Sequence, residues 1–189
     1  QECWEKTLDA AVELSPRHIS IYNLSIEEGT PFFRSGLMPI SDDEAMEQLA
    51  LAQSRLNVAG YGRYEISNYA QSGYECKHNL AVWHGEDYFG IGAGAHSRVG
   101  QRRIHNLDNW HNWLAAKQAG TTIPQNVEYL TEEEDSRERT FTQWRLLNEG
   151  VTFISNAPEK QALLKTLLEQ DIIHELKPHT YALTMRGTE

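Results

Sequence analysis

Residues 61–97 read YGRYEISNYAQSGYECKHNLAVWHGEDYFGIGAGAHS, and they carry tyrosine, histidine and glycine at a density found nowhere else in the chain. The stretch closes on Gly90-Ile91-Gly92-Ala93-Gly94-Ala95-His96-Ser97, with glycine at every second position from 90 to 94. Alternate residues of an extended strand share a face. The spacing therefore predicts a strand with one bare face, where a flat ligand can reach the backbone. Ile91, Ala93 and Ala95 would pack on the other face. Glycines in a strand also mark bulges or tight packing against a helix, and spacing leaves both readings open. A dinucleotide fingerprint does not fit, because the third glycine comes one position early and residues 95–98 open no amphipathic helix. A phosphate loop does not fit either, since no Lys-Ser/Thr pair follows.

Composition narrows the function classes. The chain has 189 residues, enough for one large domain or two small ones. It is 40% hydrophobic and 23% charged, within the range of globular domains. No apolar run is long enough to cross a bilayer and no signal peptide opens the chain, so a cytoplasmic location is expected. A net charge of -10 repels phosphate backbones, and no nucleic-acid partner is expected. Cys3 and Cys76 are too few and too far apart for a zinc ribbon or an iron–sulfur motif. A disulfide between them is one reading; two free thiols in a reducing compartment is the expected one. The chain opens on Gln1 rather than Met and reads as part of something longer.

In order along the chain, Trp4, Leu8, Ala11 and Val12 recur at helical spacing up to Ser15-Pro16. His18 to Leu24 is apolar on both faces, the pattern of a covered parallel strand. Residues 26–39 read as a loop. Ser41 and Glu44 form a capping box, Met46, Leu49, Ala50 and Leu56 make one stripe, and Gly60 suits the C′ position. Arg63 to Ser67 reads as the next strand, with Tyr64 and Ile66 on one face. This alternation predicts α/β architecture with a parallel sheet. Beyond about residue 100 the pattern becomes helical. A helix over 108–118 carries Trp110, Trp113 and Leu114. A second capping box at Thr131 and Glu134 opens a helix expected to reach Asn148 and to bury Phe141, Trp144 and Leu147. A third helix starts near Pro158 with Leu163, Leu164, Leu167 and Leu168 on its core side. Residues 172–185 suggest a hairpin around Pro178-His179, completing a winged-helix-like module.

Chemistry-bearing residues collect at the expected strand ends: Asn23, Leu24 and Ser25, then Ser67 to Tyr69, then the glycine stretch. Glu27 and Glu28 beside the first end read as loop charges. His78, His84 and His96 are imidazoles near the glycines, but their spacing fits no zinc signature. Glu132–Glu134 and Asp135 are expected to face nothing basic, and Lys160, Lys165 and Lys177 form no dense patch, which argues against DNA binding.

The motifs Ile19–Phe32 (ISIYNLSIEEGTPF), Gly62–Ala70 (GRYEISNYA), Cys76–Leu80 (CKHNL) and Gly90–Ser97 occur in this order in one family. The chain resembles radical SAM proteins of the oxygen-independent coproporphyrinogen III oxidase-like group, and within it the heme-chaperone branch. The resemblance implies α/β plus α: the last β/α units of a partial TIM-like barrel in residues 1–100, then a small helical, winged-helix-like C-terminal domain in 101–189. It implies S-adenosyl-L-methionine and a [4Fe-4S] cluster in the intact parent. The cluster motif CxxxCxxC is not among these residues, so no metal ligand and no catalytic residue is expected in this chain, which by itself should be inactive. By position, Asn23, Leu24 and Ser25 with Gly92, Ala93, Gly94, Ala95 and His96 would edge the S-adenosylmethionine pocket. His78, in His78-Asn79-Leu80-Ala81-Val82-Trp83, matches the branch motif HNxxYW except that Val82 replaces tyrosine, and is the implied heme contact. The expected partners are heme or porphyrin and an unidentified heme acceptor, with self-association through an open barrel edge. A true coproporphyrinogen oxidase, an oxidative decarboxylase of heme biosynthesis, is the alternative within the family. Leu80-Ala81 stands where those oxidases carry Phe-Gln. A non-catalytic binding module with a winged-helix-like tail is the alternative outside it.

Overall fold

The computed structural model describes residues 2–123 and 125–188. The elements run α1 (Glu2–Glu13), β1 (His18–Ser20), α2 (Pro31–Arg34), α3 (Asp42–Val58), β2 (Gly62–Glu65), β3 (Asn68–Ala70), α4 (Lys77–Trp83), β4 (His96–Val99), β5 (Arg102–Asn106), α5 (Trp110–Gln118), β6 (Gln125–Tyr129), α6 (Glu132–Gln143), β7 (Val151–Thr152), α7 (Pro158–Glu169), β8 (Ile173–Lys177) and β9 (Thr180–Leu183). The architecture is mixed α/β. It divides into two compact units, residues 1–76 with 147–189, and residues 77–146. Residue 100, the boundary expected from the sequence, is the turn between β4 and β5 inside the second unit.

In the first unit, α3 begins and ends as its sequence dictates. The Ser41 hydroxyl accepts from the Glu44 N–H (3.3 Å) and the Glu44 carboxylate accepts from the Ser41 N–H (3.1 Å), satisfying two open donors reciprocally. At the other end Gly60 takes φ +87°, and the N–H groups of Gly60 and Tyr61 donate back to Asn57 and Leu56. This Schellman closure folds Tyr61 onto the helix. Leu56, Tyr61 and Tyr69 form the buried cluster, with Val12, Ile19 and Ile21 packed against it. α1 is tied to α3 by the Trp4 indole N–H donating to the Gln48 carbonyl (3.0 Å) and by Arg55 paired with Asp9 and Glu5.

The sheet of this unit overturns the parallel expectation. Its order is β1-β3-β2, and β3 is antiparallel to both neighbours. β1 and β2 point the same way but do not touch, because the chain reverses at Ile66-Ser67 and inserts β3 between them. The Glu65 carboxylate closes that turn, accepting from the Ser67 N–H and the Asn68 amide, each at 2.6 Å. With the turn in place, Tyr64 and Ile66 do not continue one strand face. β1 is also shorter than expected: beyond Ser20 the chain is irregular, and Tyr22 and Leu24 are exposed rather than covered.

The same unit holds the antiparallel sheet β7-β9-β8. β8 and β9 form the hairpin expected around Pro178-His179. Gly150 lies so close to this sheet that a Cβ would stand 2.6 Å from the Tyr181 carbonyl oxygen. α7 starts at Pro158 as expected, with Leu164 and Leu167 half-buried. Leu163 and Leu168 face solvent instead of a core.

The second unit carries the antiparallel sheet β4-β5-β6, α4, α5 and α6. α5 and the Thr131 capping box appear as expected. α6 ends at Gln143, five residues early, because tighter three-residue bonds take over: Arg145 N–H to Thr142 and Leu146 N–H to Gln143. The tightened turn rotates Leu146 inward (2% exposed); of the residues expected inside, Phe141 is 75% exposed, while Trp144 and Leu147 are half-buried.

Candidate functional site

The glycine stretch is a turn, not a strand. Gly92 (φ +117°) and Gly94 (φ +68°) need left-handed backbone, and β4 begins only at His96. Ile91, expected in the core, is 92% exposed. Gly90 is required for a close backbone approach, since a Cβ there would stand 2.2 Å from the His96 carbonyl oxygen. Gly90 is therefore packed tightly, but against the backbone of β4 rather than a helix, while the backbone at Gly92 borders open space. The turn is pinned by buried polar side chains. The Ser97 hydroxyl accepts from the Gly90 N–H (2.8 Å), and the Asn106 amide donates to the carbonyls of Gly92 (2.9 Å) and Gly90 (3.3 Å). Gln125 in turn donates to Asn106 (2.8 Å). His96 is exposed and lies flat on its cross-strand partner His105, with ring centroids 4.1 Å apart, and His105 Nε2 meets Asp108 Oδ1 at 2.8 Å.

His78 sits in the first turn of α4 in the same unit and is exposed. Its ring meets the Tyr88 ring edge-on (6.5 Å, 85°). Trp83, at the end of α4, lies under the Arg145 guanidinium (4.4 Å). α4 closes with Glu86 N–H to Ala81 and Gly85 N–H to Val82, with Gly85 at φ +74°.

Just past that closure lies the strongest charge cluster of the unit. Arg98 is 3% exposed. Its guanidinium donates to the Gly85 carbonyl (2.9 Å) and pairs with Asp135 and Glu138. Arg139 donates to the same carbonyl (2.6 Å) and to Asp135 (2.9 Å). The hydrogen bond from Arg139, with the charge of Arg98 behind it, holds the Asp135 carboxyl below the usual carboxylate range. The sequence reading that Asp135 faces nothing basic is therefore corrected: two arginines, from β4 and from its own helix, converge on it. No short motif marks Arg98, Asn106 or Asp135.

Asn23 and Leu24 belong to the first unit. With Ile21, Tyr22, Met38 and Ile40 they line an apolar cavity of about 530 Å³. Ser25 follows, exposed. The candidate residues thus fall into two groups: Asn23–Ser25 in the first unit, and His78 with Gly92–His96 in the second. Among the described residues no three His, Cys, Asp or Glu side chains are arranged to hold a metal, and both cysteines are free thiols. This donor set does not fit an iron–sulfur cluster, which needs several thiolates together. No described helix is long and apolar enough to cross a membrane.

No family model matches the chain. Among curated proteins it is 31% identical to the heme chaperone HemW of Bacillus subtilis over 196 aligned residues, covering 97% of this chain and 51% of that protein. It is 45% identical to Escherichia coli HemW over 93 residues, covering 49% of this chain and 24% of the relative. With Mycobacterium tuberculosis HemW it shares 37% identity over 123 residues, 63% of this chain and 31% of that protein. The chain spans at most about half the length of these relatives. Among solved structures, E. coli coproporphyrinogen III oxidase (HemN), described as a radical SAM enzyme, superposes with a TM-score of 0.74 at 15% identity. The match takes in 99% of this chain and 49% of that one, a likeness of fold. The chain resembles the oxygen-independent coproporphyrinogen III oxidase-like group on its heme-chaperone side, as its motifs implied.

Proposed function

Since its curated relatives are HemW heme chaperones, we propose that this chain is the C-terminal portion of a HemW-like radical SAM protein that handles heme. The observation that carries the reading is the likeness to a HemW protein along 97% of the chain, with the HNxxxW stretch at His78 to Trp83 on α4. His78 is the heme contact in this reading: an exposed imidazole, held edge-on by Tyr88, is the type of group that ligates heme iron. Asn23, Leu24 and Ser25 in the first unit and, separately, Gly92 to His96 in the second are the residues this reading assigns to S-adenosylmethionine. The apolar wall at Asn23 and Leu24 and the open backbone at Gly92 support that assignment. In the intact parent a [4Fe-4S] cluster would supply the electron for reductive cleavage of S-adenosylmethionine; its ligands are assigned outside these residues. α7 with the β7-β9-β8 sheet is the part we read as winged-helix-like.

Heme titration of the chain tests this, followed by the Soret band and by the released fraction after gel filtration. Stoichiometric binding that weakens and changes spectrum in His78→Ala is the expected result. Absent binding removes the heme reading; binding identical in both proteins removes His78 from it.

A further inference from the structure

We infer that Arg98, with Asp135 and Arg139, is the positioning residue for His78; the inference rests on the heme reading above. The geometry is a closed circuit within one unit. The backbone of Arg98 exchanges two hydrogen bonds with Tyr88 (2.8 and 3.0 Å). The Tyr88 ring meets the His78 ring edge-on. His78 belongs to α4, whose closing residue Gly85 hands its carbonyl to the Arg98 side chain. Arg98 therefore fixes His78 from two sides, through the partner ring and through the end of the helix that carries it.

The circuit is rigid for physical reasons. The Gly85 carbonyl is buried, and a buried carbonyl left unpaired is costly. It receives two guanidinium N–H groups, from Arg98 and Arg139. Both are held by one carboxylate, Asp135. A planar fork lets Arg98 serve the carbonyl and the carboxylate together, which an ammonium does not reproduce. Side-chain space at Gly85 is closed: a Cβ would stand 2.9 Å from the Arg139 guanidinium. His78 lies about two helical turns before Gly85, so displacement of the closing end is passed to His78 along α4. The network also reaches the glycine turn, because Arg98 follows Ser97, which holds Gly90.

The test compares ferric and ferrous heme spectra and heme affinity in Asp135→Asn, Arg98→Lys, Tyr88→Phe and Tyr88→Leu, with His78→Ala as reference. Circular dichroism at the assay temperature monitors folding. Asp135→Asn, Arg98→Lys and Tyr88→Leu are expected to move the Soret band toward that of His78→Ala. Each should weaken binding by about tenfold or more, the usual cost of losing a partner that orients a metal ligand. Tyr88→Phe keeps the ring and should retain the parent spectrum. Parent-like spectra in folded Asp135→Asn and Tyr88→Leu, alongside a changed His78→Ala, would overturn the positioning role and leave the heme reading intact. An unchanged His78→Ala would remove the His78 contact, and the positioning role with it. If Asp135→Asn does not fold, Tyr88→Leu decides, because it leaves the ion network whole.

Discussion

Tyr61 donates its backbone N–H to the Leu56 carbonyl at 2.9 Å, and the side chains of both residues lie in the same buried cluster. A single local closure thus ends α3 and delivers the first core aromatic after it. Gly60 permits this through its left-handed backbone, and a Cβ there would meet open space. Gly60→Ala should therefore cost only the backbone term, about 1 kcal/mol. Leu56→Ala should cost about 2–5 kcal/mol, because it removes buried methyl groups and leaves a cavity. Urea midpoints of the two variants give the comparison, with Leu56→Ala the larger shift.

Tyr69 is fully buried, and its hydroxyl has no hydrogen-bond partner among the described residues. Burial raises its pKa above the ordinary tyrosine value, partly countered by the Arg63 charge. A raised folded pKa means full stability below the unfolded value near 10, lost as pH climbs through the folded value. Tyr69→Phe should stabilise the protein by about 1 kcal/mol, since it removes an unsatisfied buried hydroxyl. It should also reduce alkaline sensitivity, measured as melting temperature between pH 8 and 11.

Glu44 and Glu134 close the two capping boxes, and their pKa values are lowered, first by the backbone N–H of Ser41 and of Thr131 and then by those hydroxyls. A depressed folded pKa contributes stability above the unfolded value near 4.3 and loses it as pH falls through the folded value. Helical circular dichroism should decline on acidification below that point. The decline should be shallower in the double variant Glu44→Gln, Glu134→Gln; an unchanged slope would show that the caps do not titrate with folding.

Phe141 is 75% exposed on a helix where the sequence pattern places it inside. Phe141→Ser should shift stability by less than about 0.5 kcal/mol, the range of ordinary surface changes. Leu146→Ala, at a buried position, should cost about 2–5 kcal/mol. Reversal of that order in thermal melts would mean Phe141 is core after all.

Local chemistry made much of this chain legible. Capping boxes at Ser41 and Thr131, the Gly60 closure, the Pro158 start and the Pro178-His179 hairpin each depend on residues within one turn of one another. Ordered motifs carried the family resemblance for the same reason, being short runs read directly. The turn at Ile66-Ser67 was hidden because no glycine or proline marks it: the Glu65 carboxylate closes it instead. The glycine stretch misled because alternating glycines fit a strand, whereas Gly92 and Gly94 adopt backbone that no strand uses.

What the sequence by itself determined was where helices begin, where they stop, and which residues carry imidazole, thiol and carboxylate. Tertiary structure alone decided that β3 lies between β1 and β2, that Leu146 rather than Phe141 is buried, and that Arg98, Asp135 and Gly85 meet. Those outcomes depend on pairings across tens of residues, where no local spacing records which donor finds which acceptor. The free energy of each is set by burial and partner geometry, and both exist only once the chain has folded.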